Sequence, residues 1–332
     1  MRLTLRRRTA LALTGATLAA PWIGGTARAA GITWTAYTYQ YPGSAGVRGL
    51  QRLAEQMKTA PGGAFTIAVH PAGRLGLDVN TMSQAITNNV VQLGDDLYNG
   101  MVIAAAGIPR LPMLVADRAA FLRGSEVART FLAPLLAARN SVLLGHYGHP
   151  RMLTWSRLPL DTLLGISGHR VRSLNAEHSE FIRRLGGAPY NAVTGDVAAA
   201  LDKTNIDTLF STATAVRQWR PKLRFAYASG PNRLDALLHA NRTAFAALPK
   251  PTQEALTDAA ATTATWIMDT LQAEEEAALT TLAGDGLTPA ETQTSDIQAV
   301  TQKCASIWDE WSRVRGRETQ DMLFAFRRAV DI

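Results

Sequence analysis

The residues of this chain best equipped for chemistry are arginines, and Arg172 is the sharpest case. It closes the run Gly168-His169-Arg170-Val171-Arg172-Ser173, which reads as a short strand lying between helices. A guanidinium at the end of a strand can hold a carboxylate through two parallel hydrogen bonds. Tyr37, Tyr39, Gln40 and Tyr41 end another strand, at the edge where open α/β sheets take ligands. Rings with polar tips suit a small, partly aromatic pocket, although alternation along a strand equally accounts for Tyr37 and Tyr39. Trp219, beyond the Asp207 segment, can face the same cleft. Other chemistry is thinly represented. His146 and His149 stand three apart around a glycine with a proline following, and a metal site needs further ligands. The sequence lacks a G-x-S-x-G elbow, an H-E-x-x-H pair, a Walker loop and a G-x-G-x-x-G loop. No cofactor, metal or catalytic residue is therefore expected, and Glu274-Glu275-Glu276 reads as a solvated helix face.

The elements that must position these residues alternate. Ile32 to Tyr37 has period two and predicts a strand. Val47 to Lys58 carries apolar residues at helical spacing, Phe65 to Val69 predicts a second strand, and Asn80 to Asn88 a second helix. Further strands are predicted at Leu143–Tyr147, Arg170–Leu174 and Asn205–Phe210, with helices at Glu177–Leu185 and Asp196–Lys203. Alternation of this kind implies a parallel sheet covered by helices. Thr252 to Leu282 contains neither Pro nor Gly and predicts one helix of about 45 Å. Two amphipathic helices, Thr294–Arg315 and Glu318–Arg328, follow. Phe324 and Phe326 look exposed there, and pack either internally or across a dimer, so monomer and dimer both stay open.

Residues 1 to 29 read as a targeting segment. Arg2, Arg6, Arg7 and Arg8 precede an apolar stretch too short and too broken for a membrane span, and Ala27-Arg28-Ala29 is a cleavage site that makes Ala30 the mature start. The paired arginines fit a twin-arginine route as well as an ordinary secretory one. The chain of 332 residues carries +7. The five arginines of this segment account for most of that, leaving +2, a balance that gives nucleic-acid binding no support. About 300 remaining residues exceed one ordinary core and predict two lobes. The only cysteine is Cys304, so no disulfide framework exists; its neighbours Ile307, Trp308 and Trp311 mark it as a small buried apolar residue.

Several segments together resemble a known family. Pro159-Leu160-Asp161-Thr162-Leu163-Leu164-Gly165 leading into Arg170-Val171-Arg172, then Leu185-Gly186-Gly187-Ala188-Pro189, then Asp196-Val197-Ala198-Ala199-Ala200-Leu201 are similar to the DctP-like periplasmic solute-binding proteins of TRAP transporters. His70-Pro71-Ala72-Gly73-Arg74-Leu75-Gly76, Ile108-Pro109-Arg110-Leu111-Pro112 and Asn241-Arg242-Thr243-Ala244-Phe245 with Leu248-Pro249 continue the match in order.

The resemblance implies an α/β, two-lobe periplasmic-binding-protein-like fold with a central ligand cleft and a long spine helix bridging both lobes. The expected division is residues 30–148 with about 237–276 in one lobe, and 149–236 with about 277–332 in the other. Arg172 falls at the family's carboxylate-clamping arginine. Arg151, ahead of Met152-Leu153-Thr154-Trp155-Ser156, falls at a second ligand arginine, with Trp155 as a possible pocket wall. Ser211 stands where many members carry an asparagine, and Thr208 where they carry glycine; a serine reaches less far. Asp207 reads as a structural hydrogen-bonding residue. The expected protein is not an enzyme. It is exported to the periplasm, captures a small organic acid by cleft closure and hands it to a TRAP-type permease. The alternatives are an exported enzyme acting on a small anion and a ligand sensor for a membrane receptor.

Overall fold

Among the described residues ten strands form two sheets of five. In chain order they are β1 (Ile32–Thr38), β2 (Phe65–His70), β3 (Leu93–Asp96), β4 (Ser141–Arg151), β5 (Leu153–Ser156), β6 (Arg170–Ser173), β7 (Ala188–Asn191), β8 (Thr208–Ser211), β9 (Phe225–Tyr227) and β10 (Arg233–Asn241). The structure is a computed structural model, and it describes residues 31–97 and 102–332; the expected signal segment and its cleavage site lie outside the described residues. The first sheet has the order β2-β1-β3-β10-β4 and the second β7-β6-β8-β5-β9. The chain thus passes between sheets at 151–153 and again at 227–233.

Strand directions decide where a site can form. β1, β2 and β3 are parallel, and β10 runs against both β3 and β4. In the second sheet β6 is parallel to β7 and β8, while β5 opposes β8, with Leu153 opposite Ser211. The C-terminal ends of β1, β3 and β4, and those of β6 and β8, therefore all lie at the edge where the chain crosses. That edge is where open α/β sheets leave a crevice for ligands.

The helices are α1 (Ala45–Met57), α2 (Met82–Thr87), α3 (Arg118–Ala137), α4 (Ala176–Arg184), α5 (Val197–Asp202), α6 (Ala213–Val216), α7 (Arg242–Ala246), α8 (Lys250–Gly284), α9 (Thr294–Arg313) and α10 (Arg317–Ala329). The predicted elements appear with ends shifted by a few residues. The strand expected at Leu143–Tyr147 extends to Arg151, because β10 gives it a hydrogen-bonding partner along most of its length. On β8, Leu209 faces a smaller core with Trp155 and Leu201, while Phe210 faces the larger core with Phe181 and Val171. This is the period-two alternation of a sheet covered on both faces.

Helix α8 has 35 residues, so it runs about 52 Å. Its first half, with Leu256, Ala260, Ala264 and Ile267, packs in the larger core beneath α1 and β4. Its second half, with Ala278 and Leu282, packs in the smaller core. Helix α9 also bridges. Its Trp308 indole donates to the Pro112 carbonyl at 2.7 Å, and its Trp311 indole donates to Glu177 of α4 at 2.7 Å. Cys304 is buried in the same helix, and burial pushes its thiol up to about 12.

One expectation is corrected, and two open placements are located. Glu275 is buried rather than solvated. Its carboxylate accepts the Ala213 N–H, and at 2.9 Å each the N–H and hydroxyl of Thr214. Phe326 is fully buried, its ring filling the space above Gly124 of α3, whereas Phe324 is exposed. Helix α10 packs on α3 and the short helical segment Ala104–Arg110, beside the first sheet.

Glu275 caps the free N–H groups at the start of α6 from a different helix. Glu275→Ala removes an acceptor from buried donors and should destabilise the fold by about 2 kcal/mol. Urea denaturation reads this as a lower midpoint at constant slope. A change below about 0.5 kcal/mol, within the range of an ordinary surface substitution, would show that the cap is dispensable.

Candidate functional site

The second sheet carries one group of candidate residues. Along β6, Val171 points into the core while Arg170 and Arg172 flank it. Arg170 is exposed and forks onto Asp207, at 2.9 and 2.8 Å. Burial pushes the Asp207 carboxyl up, but this fork outweighs it and holds the group below the usual carboxylate range. Asp207 thus acts within the fold.

Arg172 is only 4% exposed. Its Nε donates to the Ala192 carbonyl at 3.0 Å and its Nη2 to Thr194 Oγ1 at 3.1 Å. Its guanidinium carbon lies 6.0 Å from the centre of the Trp219 ring, within cation–π range. His178 packs edge-on to Phe210 and meets Asn232 Oδ1 at 3.2 Å. Burial, with the nearby Arg172 charge adding to it, lowers His178 to about 4, so it is neutral at physiological pH. Ser211 is buried at the C-terminal end of β8.

The first sheet carries a second group of polar residues. Tyr39, just beyond β1, is hydrogen-bonded through its hydroxyl to His149 Nε2 at 2.8 Å. Behind it Asp95 is fully buried, accepting from the Thr38 hydroxyl (2.8 Å), the Gln40 amide (3.0 Å) and the Tyr147 hydroxyl (2.7 Å). Burial nevertheless pushes Asp95 up to about 6 and brings His149 down to about 4.

The other expected contacts fall elsewhere. Tyr37 packs with Met82 and Ile86, its hydroxyl donating to the Leu77 carbonyl. It belongs to a small core between β1 and α2 rather than to the pocket, because alternation sends it to the opposite face from Thr38. Trp155 is fully buried in the smaller core, its indole donating to the Ser211 carbonyl at 2.9 Å; it supports Ser211 from behind and is no pocket wall. Arg151 lies at the first crossing, donating to the carbonyls of Ala116 (2.9 Å) and Gly230 (3.1 Å). His178, Thr194 and Arg233 were not singled out by sequence reasoning. Arg233 carried a signal, a charge at the head of the run Leu234–Ala240, whose Leu and Ala residues are interrupted by Asp235 and His239, whereas His178 and Thr194 carried none.

Among the described residues no cluster of three or more His, Cys, Asp or Glu could hold a metal. His169 Nδ1 meets the Thr208 hydroxyl at 2.8 Å, and that hydroxyl donates to Ser156 at 2.8 Å. Both hydroxyls are fully buried in the sheet.

Residues 38–314 match the family described as bacterial extracellular solute-binding protein, family 7, or DctP. The chain belongs to this family. Similar solved structures include the pyroglutamic acid-binding solute receptor DctP7 of Bordetella pertussis, at 24% identity and TM-score 0.76, over 89% of this chain and 99% of that one. The ectoine-binding protein of the TeaABC TRAP transporter of Halomonas elongata has 17% identity and TM-score 0.78, over 90% and 99%. A TRAP solute-binding protein of Roseobacter denitrificans with bound β-D-glucuronate has 19% identity and TM-score 0.75, over 90% and 98%. No curated protein matches the chain. These structures share the two-lobe fold, with its two sheets.

The buried titratable groups oppose one another in pH dependence. His149 and His178 titrate near 4 in the fold and near 6.5 when unfolded, so their contribution to stability is lost as pH falls from about 6.5 to 4. Asp95 titrates near 6 in the fold and 3.8 when unfolded, so its contribution is lost as pH rises through the same window. Two histidines outweigh one aspartate, and stability should rise from pH 4 to 6.5. Asp95→Asn should steepen that rise by up to about 3 kcal/mol in denaturant titrations. Equal slopes would show that Asp95 does not ionise unfavourably in the fold.

Proposed function

We propose that this chain is an exported receptor that captures a small organic anion through a carboxylate and delivers it to a TRAP-type permease. Arg172 carries this reading. Its guanidinium is buried at the C-terminal edge of β6, beside Thr194 and the Trp219 ring, where a carboxylate would meet a fixed donor fork in a low dielectric. Pyroglutamate and glucuronate, named for two of the similar structures, are both carboxylates and support it. In this reading Ser211 offers a hydroxyl on the same sheet, and Tyr39 with His149 offers polar tips from the other. The neutral His178 offers a ring rather than a charge. The lobes close about the crossings at 151–153 and 227–233, taking the acid out of water. The walls set which acid is accepted, because Arg172 reads only the carboxylate. The ligand leaves unchanged, and a leader removed near Ala29 places the protein in the periplasm.

The test is a thermal-shift screen of protein unfolded and refolded to strip carried-over ligand, against a panel of small organic acids. An acid at about 100 times its dissociation constant should stabilise the fold by about 2.7 kcal/mol. Arg172→Ala should weaken binding of that acid by about 2–4 kcal/mol. A well-folded sample that answers to no acid, or an Arg172→Ala variant with unchanged affinity, overturns the clamp.

A further inference from the structure

Helix α3 ends, β4 begins and β10 runs into α7 at one corner of the first sheet, where Ser141 pairs with Asn241. From Ser141 the strand β4 runs to Arg151 at the first crossing, a span of roughly 33 Å at the rise of an extended chain. The corner therefore lies at the opposite end of the sheet from the crossing edge. It holds a cavity of about 430 Å3, a size common for small-molecule sites. Ala133 and Ala137 of α3, Val142 and Leu143 of β4, and Phe245 and Ala246 of α7 give it apolar walls. Arg172, Ser211, Tyr39 and His149 take no part in it.

The remaining lining residues are Ser141, Arg242 and Gln253. The Gln253 amide is occupied, donating to the Leu248 carbonyl at 2.8 Å and bracing the turn between α7 and α8. Ser141 is 1% exposed, and its hydroxyl is buried with no hydrogen-bond partner, a cost that a bound polar atom would relieve. Arg242 is exposed, and its Nη1 donates to the Ala137 carbonyl at 3.3 Å, which leans the guanidinium over the end of α3. Among the described residues Arg242 makes no ion pair, whereas Arg110, Arg118 and Arg123 do. No Asp or Glu lines the cavity, so Arg242 is its only charge.

These groups define a ligand. Apolar walls gain by covering hydrocarbon. One guanidinium with donors to spare takes one carboxylate. A cation would meet no counter-charge, and a dianion would leave its second charge against apolar walls. We propose that this cavity is a second ligand site, remote from the cleft, that takes an amphipathic monocarboxylate, with its hydrocarbon or aromatic body against Phe245 and Leu143 and its carboxylate on Arg242. Ser141 offers its hydroxyl to the same molecule. The site does not depend on the transport reading.

The test is isothermal titration calorimetry of refolded protein with octanoate and phenylacetate, and with acetate, succinate and octylammonium for comparison at matched ionic strength. Because the cleft is also read as a carboxylate site, the titrations are made in Arg172→Ala. Octanoate or phenylacetate should saturate one site there, and the three comparison ions should not. Adding Arg242→Gln should raise the dissociation constant about tenfold. Adding Ala246→Trp instead, which fills the cavity from an exposed position on α7, should abolish binding. Urea midpoints check that each variant is folded; if Ala246→Trp is not, Ala137→Leu fills the same cavity from α3. No saturable binding of either probe overturns the site. So does an affinity unchanged by both Arg242→Gln and the cavity-filling variant, or octylammonium binding as tightly as octanoate. A cleft acid that binds wild type and Arg172→Ala equally overturns the clamp and leaves these titrations untouched, so the two readings fail separately.

Discussion

One carboxylate, that of Glu275, ties the long helix α8 to the second sheet. It sits in the second half of α8, whose first half is packed into the larger core, and it takes up the N–H groups that begin α6 directly after β8. The helix is thereby anchored to the second sheet by charge as well as by the apolar contacts of Ala278 and Leu282. Several residues of the crossing edge lie beside this cap. Ser211 ends the strand that precedes the capped helix, Trp155 supports Ser211, and Arg151 and Arg233 line the space between the crossings and α8.

The arginines show how a fold sorts charges by what surrounds them. Arg170 is exposed and satisfied by Asp207. Arg110 is nearly buried and satisfied by Asp235, which His146 also holds. Arg172, Arg151 and Arg233 are instead directed at carbonyls or a hydroxyl. Carbonyls and hydroxyls satisfy donors without adding a counter-charge. Charge sorted in this way separates positions that stabilise the fold from positions that can recognise a solute.

Much of the fold was legible because its signals are local. Period-two and helical spacing located β1, α1, β2 and α8, and the position of Arg172 at the end of a strand was plain from Arg170-Val171-Arg172. What could not be read is what only pairing creates. Glu275 lies in a run of three glutamates, and nothing local tells which one meets α6. Tyr37 and Tyr39 have like chemistry and lie two apart; only the covering of β1 by α2 puts the first in a core, while Tyr39 turns at the strand's end toward His149. Arg233 and Arg151 stand far apart in sequence, and their adjacency exists only through the β4–β10 register. Phe326 looked exposed until Gly124 of α3 proved to make room for its ring.

The buried thiol of Cys304 has a practical side. With its proton held until about pH 12 and its sulfur enclosed by α9 and its neighbours, it is a poor nucleophile toward maleimides under ordinary labelling conditions. The chain has no other cysteine. A single cysteine introduced at Tyr41 or Val193, both well exposed, would then be the one reactive handle on the molecule. The protein is in effect already prepared to carry an environment-sensitive dye and to serve as an optical sensor for whatever solute it binds.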